Sequence, residues 1–172
     1  MWAEVSLQAI LRNLRAIRKH VGPKPMILAV VKSNAYGLGA VPISKTLQKA
    51  GTEWFGVTCA NEGIELREAG IRKRILILTG FWPGEEKRLI ENHLTPTVCR
   101  VSDLRHLERA AKSSRAQKSR FSFHLKINTG MNRLGISLAE IEAFARELAR
   151  CPHLRLEGVY THFARSEERR GG

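Results

Sequence analysis

The chain has 172 residues, 43% of them hydrophobic and 26% charged, which excludes a disordered segment and leaves enough apolar mass for a packed core. A formal charge of +13 raises nucleic acid or a membrane surface as partner, but the cations are dispersed (Arg12, Arg15, Arg18 and Lys19; Arg105, Arg109 and Lys112), and the 6% of aromatic residues is too few for base stacking. Cys59, Cys99 and Cys151 form no disulfide framework or CxxC motif, and no signal-peptide pattern or apolar run near ~18 residues is seen, so a cytoplasmic protein with no nucleic-acid or membrane partner is expected.

Leu7, Ile10, Leu11, Leu14 and Ile17 recur at helical spacing, with Ser6 as cap and Gly22-Pro23 as stop, and predict a first helix that buries one stripe. A strand over 26–31 follows, then a glycine turn and a helix over 41–49. The alternation repeats: strand 54–57, helix 61–69, strand 74–78, helix 85–92, strand 95–99, and helix 103–112 behind Ser102. Phe121, Phe123, Leu125 and Ile127 alternate in a strand over 121–127. Ser137-Leu138-Ala139-Glu140 is a capping box opening a helix that Pro152 ends, and a last strand covers 156–161. Six strands alternating with helices imply parallel, right-handed βαβ units. Periodicity alone leaves an open Rossmann sheet or a closed barrel undecided. Pro42 stands where the third glycine of a dinucleotide fingerprint belongs, which weakens the Rossmann alternative. A (β/α)8 barrel needs two more units and ~250 residues, so the expected fold is an incomplete parallel TIM-type barrel of about six βα units.

The chemistry-bearing residues gather just beyond predicted strands: Lys32 and Tyr36 after the first, Arg133 after the fifth, His162 after the sixth. Barrel enzymes build their sites on that face. In Ala29-Val30-Val31-Lys32-Ser33-Asn34-Ala35-Tyr36-Gly37-Leu38-Gly39, a run of β-formers ends on one lysine before a glycine turn, a suitable place for a Schiff-base lysine and the phosphate of its cofactor. Singly, each residue reads otherwise: a strand-end lysine is commonly solvated and a lone histidine commonly structural.

That stretch and a second one, His124-Leu125-Lys126-Ile127-Asn128-Thr129-Gly130-Met131-Asn132-Arg133-Leu134-Gly135, resemble the motifs of the alanine racemase family. Glu65-Leu66-Arg67-Glu68-Ala69-Gly70 and Tyr160-Thr161-His162-Phe163-Ala164 follow the family order, and the resemblance covers the chain to about residue 165. It implies pyridoxal 5'-phosphate as cofactor and alanine as substrate, in a pathway to D-alanine for peptidoglycan. By the same resemblance Lys32 holds the cofactor covalently and is the acid/base on one face of the substrate Cα. Tyr36 contacts the phosphate, Arg133 lies beside the cofactor phenolic oxygen and the substrate carboxylate, and His162 packs by the pyridine ring. Lys126 matches a lysine that is often carbamylated, a change that would remove a costly buried ammonium beside Arg133; a lysine leaning out to solvent is the other reading. Leu38 replaces a frequent histidine and Asn128 a frequent aspartate.

The resemblance further implies that residues 1–165 are a partial N-terminal barrel domain followed by a charged, glycine-containing tail over 166–172. Later barrel strands and a C-terminal β domain, which gives the partner subunit of a homodimer its catalytic tyrosine, have no counterpart here. The chain alone is therefore expected to be inactive. Two alternatives stay open: a pyridoxal-phosphate barrel protein of another type (cofactor homeostasis or another amino-acid racemase), and a non-catalytic basic remnant.

Overall fold

The computed structural model describes residues 4–114 and 119–164; the tail expected over 166–172 lies outside them. Two compact units emerge, the first from the described residues up to Leu78 with Glu91–Thr95, the second from Thr79–Ile90 and the residues from Pro96 on.

In the first unit, helix α1 (Leu7–Val21) starts where the Ser6 hydroxyl accepts the Ala9 N–H at 3.2 Å. Strand β1 (Leu28–Val30) leads to a single left-handed turn, α2 (Lys32–Tyr36), and then to α3 (Ala40–Lys49). Next come β2 (Trp54–Val57), α4 (Ala60–Glu68) and β3 (Arg74–Ile77). The strands form a parallel sheet in the order β1-β2-β3, and Thr95 bridges Leu76 beyond β3. β2 is buried throughout, as expected of a strand covered on both faces. Phe55, Leu66, Ile71, Ile75 and Ile77 are fully buried. Gly63 lets α4 come close to this core: a Cβ there would meet Leu94 Cδ2 at 2.9 Å.

The Glu65-to-Gly70 motif has a structural use. Arg67 donates from Nε to Asn92 O (3.0 Å), from Nη1 to Ile71 O (2.9 Å) and Lys73 O (2.7 Å), and from Nη2 to His93 O (2.8 Å). One planar fork thus holds two loops through four carbonyls. The expected burial of one stripe of α1 does not occur. Ile10, Leu11 and Leu14 are half-covered, while Leu7, Ile17 and Val21 are exposed and no residue of the helix is buried. The reason is that α3 is the main element packed on it.

The second unit contains α5 (Glu86–Glu91, the last residue grouped with the first unit), β4 (Thr97–Val98), α6 (Asp103–Ser113) and β5 (Phe121–Lys126). The 3-10 turn η1 (Leu138–Glu140), α7 (Ile141–Leu148) and β6 (Leu154–Tyr160) complete it. Its parallel sheet runs β4-β5-β6, with a bulge opposite Phe123 and His124. Within each unit the strands pair in parallel, as the alternation implies, and the ladders form two three-stranded sheets. Phe121, Phe123 and Leu125 are buried on one face of β5, Phe123 edge-on to Phe144 at 6.3 Å. The Ser137–Glu140 capping box is present. Ser102 makes no side-chain bond at the start of α6, and the buried Asp103 carboxylate ties back the segment before the helix, accepting the Cys99 and Arg100 N–H groups at 3.1 and 3.0 Å.

Candidate active site

In the first unit, the Val31 N–H extends the ladder to Gly56 O (2.9 Å) and brings Lys32, half-buried, to the carboxyl end of β1. The chain then turns left-handed. Ser33, Asn34, Ala35 and Tyr36 have φ of 52°, 53°, 52° and 57°. Each such residue other than asparagine costs about 1–2 kcal/mol, so Ser33, Ala35 and Tyr36 together cost roughly 3–6 kcal/mol that the surroundings must offset. Several bonds do so. Gly37 N–H reaches Ser33 O (3.0 Å), Leu38 N–H reaches Ala35 O (3.1 Å), and Gly39 N–H reaches Asn34 O (2.9 Å). Asn34 Oδ1 accepts the Ala40 N–H at 2.8 Å, tying the turn to the start of α3. Glu62 accepts the Ser33 N–H at 2.7 Å and the Thr58 N–H at 2.6 Å. The outcome is an amine beside a phenol: Lys32 Nζ lies 5.9 Å from the ring centroid of Tyr36, which is 64% exposed.

In the second unit, Ser122, His124 and Lys126 occupy the face of β5 opposite its phenylalanines. Lys126 is only 6% exposed, with Nζ 5.4 Å from the ring centroid of Tyr160. The Tyr160 hydroxyl bonds Thr97 Oγ1 at 2.9 Å. Burial pushes that phenol up to about 12, a rise only partly offset by Thr97. Burial likewise pushes the Cys99 thiol up to about 11 despite the opposing pull of Lys126. Both groups are therefore neutral near pH 7.

Beyond β5 the chain loops through Arg133 and returns alongside its own strand. Asn128 N–H reaches Ile136 O (2.8 Å), and Ile136 N–H reaches Lys126 O (3.0 Å). Gly135, at φ 123°, makes this return possible: a Cβ there would stand 2.6 Å from Lys126 O and 2.7 Å from Asn128 N. Lys126, Arg133, Met131 and His162 border one small cleft with about 10 Å³ of free space, room for a single water molecule. Arg133 and His162 are exposed at its rim.

Lys32 and Tyr36 are thus neighbours in the first unit, and Lys126, Arg133 and His162 share a cleft in the second. Sequence reasoning had missed Asn34, Glu62 and the Thr97–Tyr160 pair. Of these only Asn34 carries a sequence signal, because asparagine tolerates the left-handed region. The described residues contain no group of three His, Cys, Asp or Glu side chains suited to a metal, and no helix long and apolar enough to cross a membrane.

An α/β protein of parallel strands, with a lysine at the end of its first strand and a cationic cleft beyond its fifth, is the class these features define. The chain belongs to the family of the alanine racemase N-terminal domain, which it matches over residues 5–171. It is 40% identical over 167 residues to the alanine racemase of Syntrophobacter fumaroxidans, covering 97% of this chain and 44% of that protein. It is 44% identical over 170 residues to that of Carboxydothermus hydrogenoformans, covering 98% and 44%. Among solved structures, the alanine racemase of Clostridium difficile 630 superposes with a TM-score of 0.88 at 34% identity, over 95% of this chain and 42% of that one. The alanine racemase from Bacillus anthracis with bound L-Ala-P gives 0.85 at 36% identity, covering 95% and 42%. The chain spans less than half the length of these relatives.

Proposed function

We propose that this chain is the lysine-bearing N-terminal part of an alanine racemase, in which Lys32 binds pyridoxal 5'-phosphate and moves the substrate Cα proton. The observation that carries this reading is the half-buried Lys32, set beside Tyr36 by a left-handed turn at the end of β1, in a chain matched to the family over residues 5–171. The donor set fits the cofactor. A primary amine next to a phenol suits covalent attachment of an aldehyde, and the guanidinium of Arg133 suits carboxylate or phenolate oxygens.

Pyridoxal phosphate, when bound, acidifies the Cα proton of an amino acid by delocalising the electron pair left behind. Lys32, with its amine free of the cofactor once the substrate amine has taken its place, would take that proton from one face of Cα and return it. Tyr36 would give the phosphate a hydrogen bond from its hydroxyl, and Arg133 would hold the substrate carboxylate and supply positive charge to the phenolic oxygen. His162 would pack against the pyridine ring. Lys126 would act on Arg133 from the cleft they share: its neutral amine, adding carbon dioxide and releasing a proton, would become an anionic carbamate facing the guanidinium.

The same reading makes the six parallel strands part of a (β/α)8 barrel, spanning residues 1–165. The half-exposed or exposed apolar residues Val30 on the edge strand β1 and Leu156 and Val159 on the edge strand β6 support it, because interior strands of such a barrel are paired on both sides. Proton delivery to the second face of Cα then comes from groups outside these 172 residues, and the chain alone does not racemise alanine. Titration with pyridoxal phosphate, read by equilibrium dialysis, tests the assignment. Lys32→Ala is expected to weaken retention by at least about tenfold, some 1.4 kcal/mol; equal retention refutes it. Sustained L-to-D conversion by the unextended chain, followed by chiral chromatography, would overturn the division of labour.

A further inference from the structure

We infer that Glu62 is the positioning residue for Lys32, its carboxylate locking the left-handed turn that aims the lysine side chain. Its chemical consequence rests on the reading of Lys32 as the cofactor lysine; its structural part does not. Glu62 stands in the first turn of α4, outside every stretch that points to the cofactor. Its two oxygens accept two N–H groups that leave the ends of two neighbouring strands, Ser33 (2.7 Å) after β1 and Thr58 (2.6 Å) after β2.

The Ser33 N–H is the first donor that follows Lys32. The opening N–H groups of any helical turn lack partners inside it, and a serine, asparagine or aspartate just before the turn is the ordinary remedy. Val31 occupies that position and offers no side-chain acceptor. The acceptor therefore comes from another element, and it is a carboxyl group whose two oxygens each take one N–H. Because the turn is costly residue by residue, its first residue is where an alternative right-handed or extended path would begin. A carboxylate anchored on a regular helix and shared with Thr58 fixes that residue against the end of β2. Asn34 secures the far side through Ala40, so the four left-handed residues are held from both ends.

The position of Glu62 on α4 explains why its reach is fixed. A residue in the first turn of a helix is rigidly placed, and a negative charge there is favoured by the helix dipole. Glu62→Gln keeps the shape but replaces one acceptor with an NH2 donor that faces an N–H. Glu62→Asp keeps the charge on a shorter arm.

The test is amide hydrogen exchange on the 172-residue chain, with wild type, Glu62→Gln and Glu62→Asp compared. Glu62→Gln is expected to lower protection at least about tenfold over Ser33 to Gly39 and at Thr58, while α4 beyond its first turn and β5 keep theirs; Glu62→Asp is expected to fall between. Unchanged exchange over the turn overturns the inference, and so does a loss spread evenly through α3, α4 and β2, which marks a merely structural residue. The rate at which Lys32 is captured by pyridoxal phosphate and borohydride gives the second readout. It should fall about tenfold in Glu62→Gln and recover in part in Glu62→Asp. A wild-type chain that captures nothing at Lys32 defeats the proposed function, whereas the exchange pattern decides the role of Glu62 in either case.

Discussion

Gly135→Ala is the substitution whose effect can be worked most directly from the geometry. At φ 123° an alanine is strained wherever it sits, at about 1–3 kcal/mol. Here its Cβ would also press on Lys126 O at 2.6 Å, Asn128 N at 2.7 Å and Ile127 C at 2.8 Å. All three are backbone atoms that no rotamer change can clear. Relief requires the loop to swing away and gives up the two bonds between Ile136 and the end of β5, worth about 1 kcal/mol each. The sum is roughly 3–5 kcal/mol. Gly84→Ala is the matched control in the same unit, because its φ is 99° but nothing lies within 4 Å of the added carbon; its cost should be the backbone strain alone, about 1–3 kcal/mol, some 2 kcal/mol less than that of Gly135→Ala. Amide exchange over residues 126–136, read with thermal unfolding, separates the two. Gly135→Ala should open that segment and lower the melting temperature by about 2–4 °C per kcal/mol. A loss below about 1 kcal/mol, or one equal to that of Gly84→Ala, would refute the close-approach argument.

Arg67→Lys should destabilise by roughly 2–4 kcal/mol, since one ammonium cannot serve four carbonyls on two loops; a near-neutral change in urea unfolding would show the fork to be dispensable. Cys99 and Tyr160 titrate late in the folded chain because burial favours their neutral forms. Their contribution is whole below the ordinary thiol and phenol values and is lost as pH climbs through about 11 and about 12. Stability should therefore fall on the alkaline side, and Cys99→Ala should flatten the part of that fall between the ordinary thiol value and about 11; an identical alkaline profile for the variant contradicts the assignment. Glu53 behaves oppositely. Burial alone would raise its pKa, but the Ile27 N–H and Arg18 outweigh burial and hold the carboxyl low. Its support is present above the ordinary carboxylate range and is lost as pH drops through the lowered value, so Glu53→Gln should reduce acid sensitivity; unchanged acid unfolding would exclude it.

Most helices and strands were legible because period and punctuation agree with their packing. Trp54–Val57 is a strand of apolar residues buried on every side, and Ser137–Glu140 carries its capping box in four letters. The expected burial of α1 failed because periodicity reports which face is apolar, not what lies against it. At the candidate site, the lysine and its place after β1 could be read, but the left-handed turn could not. Its four left-handed residues precede Gly37, and only Asn34 among them favours that region. Glu62 was invisible for a different reason: an acidic residue in a first helical turn is ordinary, and its partners are backbone groups 29 and 4 residues away. Lys126 stood out through the family motif and as a lysine in an apolar strand, with an inward and a solvated placement both open; the pleat that turns it to the Tyr160 face exists once the strand has neighbours.

The claim on which the account turns is that Lys32 is the amine that takes the cofactor. Sub-stoichiometric pyridoxal phosphate, borohydride reduction, proteolysis and mass spectrometry of the 172-residue chain measure it directly. The account expects the phosphopyridoxyl mass on the peptide carrying Lys32, and loss of that label in Lys32→Ala without its transfer to Lys126. Label spread over lysines such as Lys45, Lys49 and Lys73, with Lys32 unmodified, would contradict it.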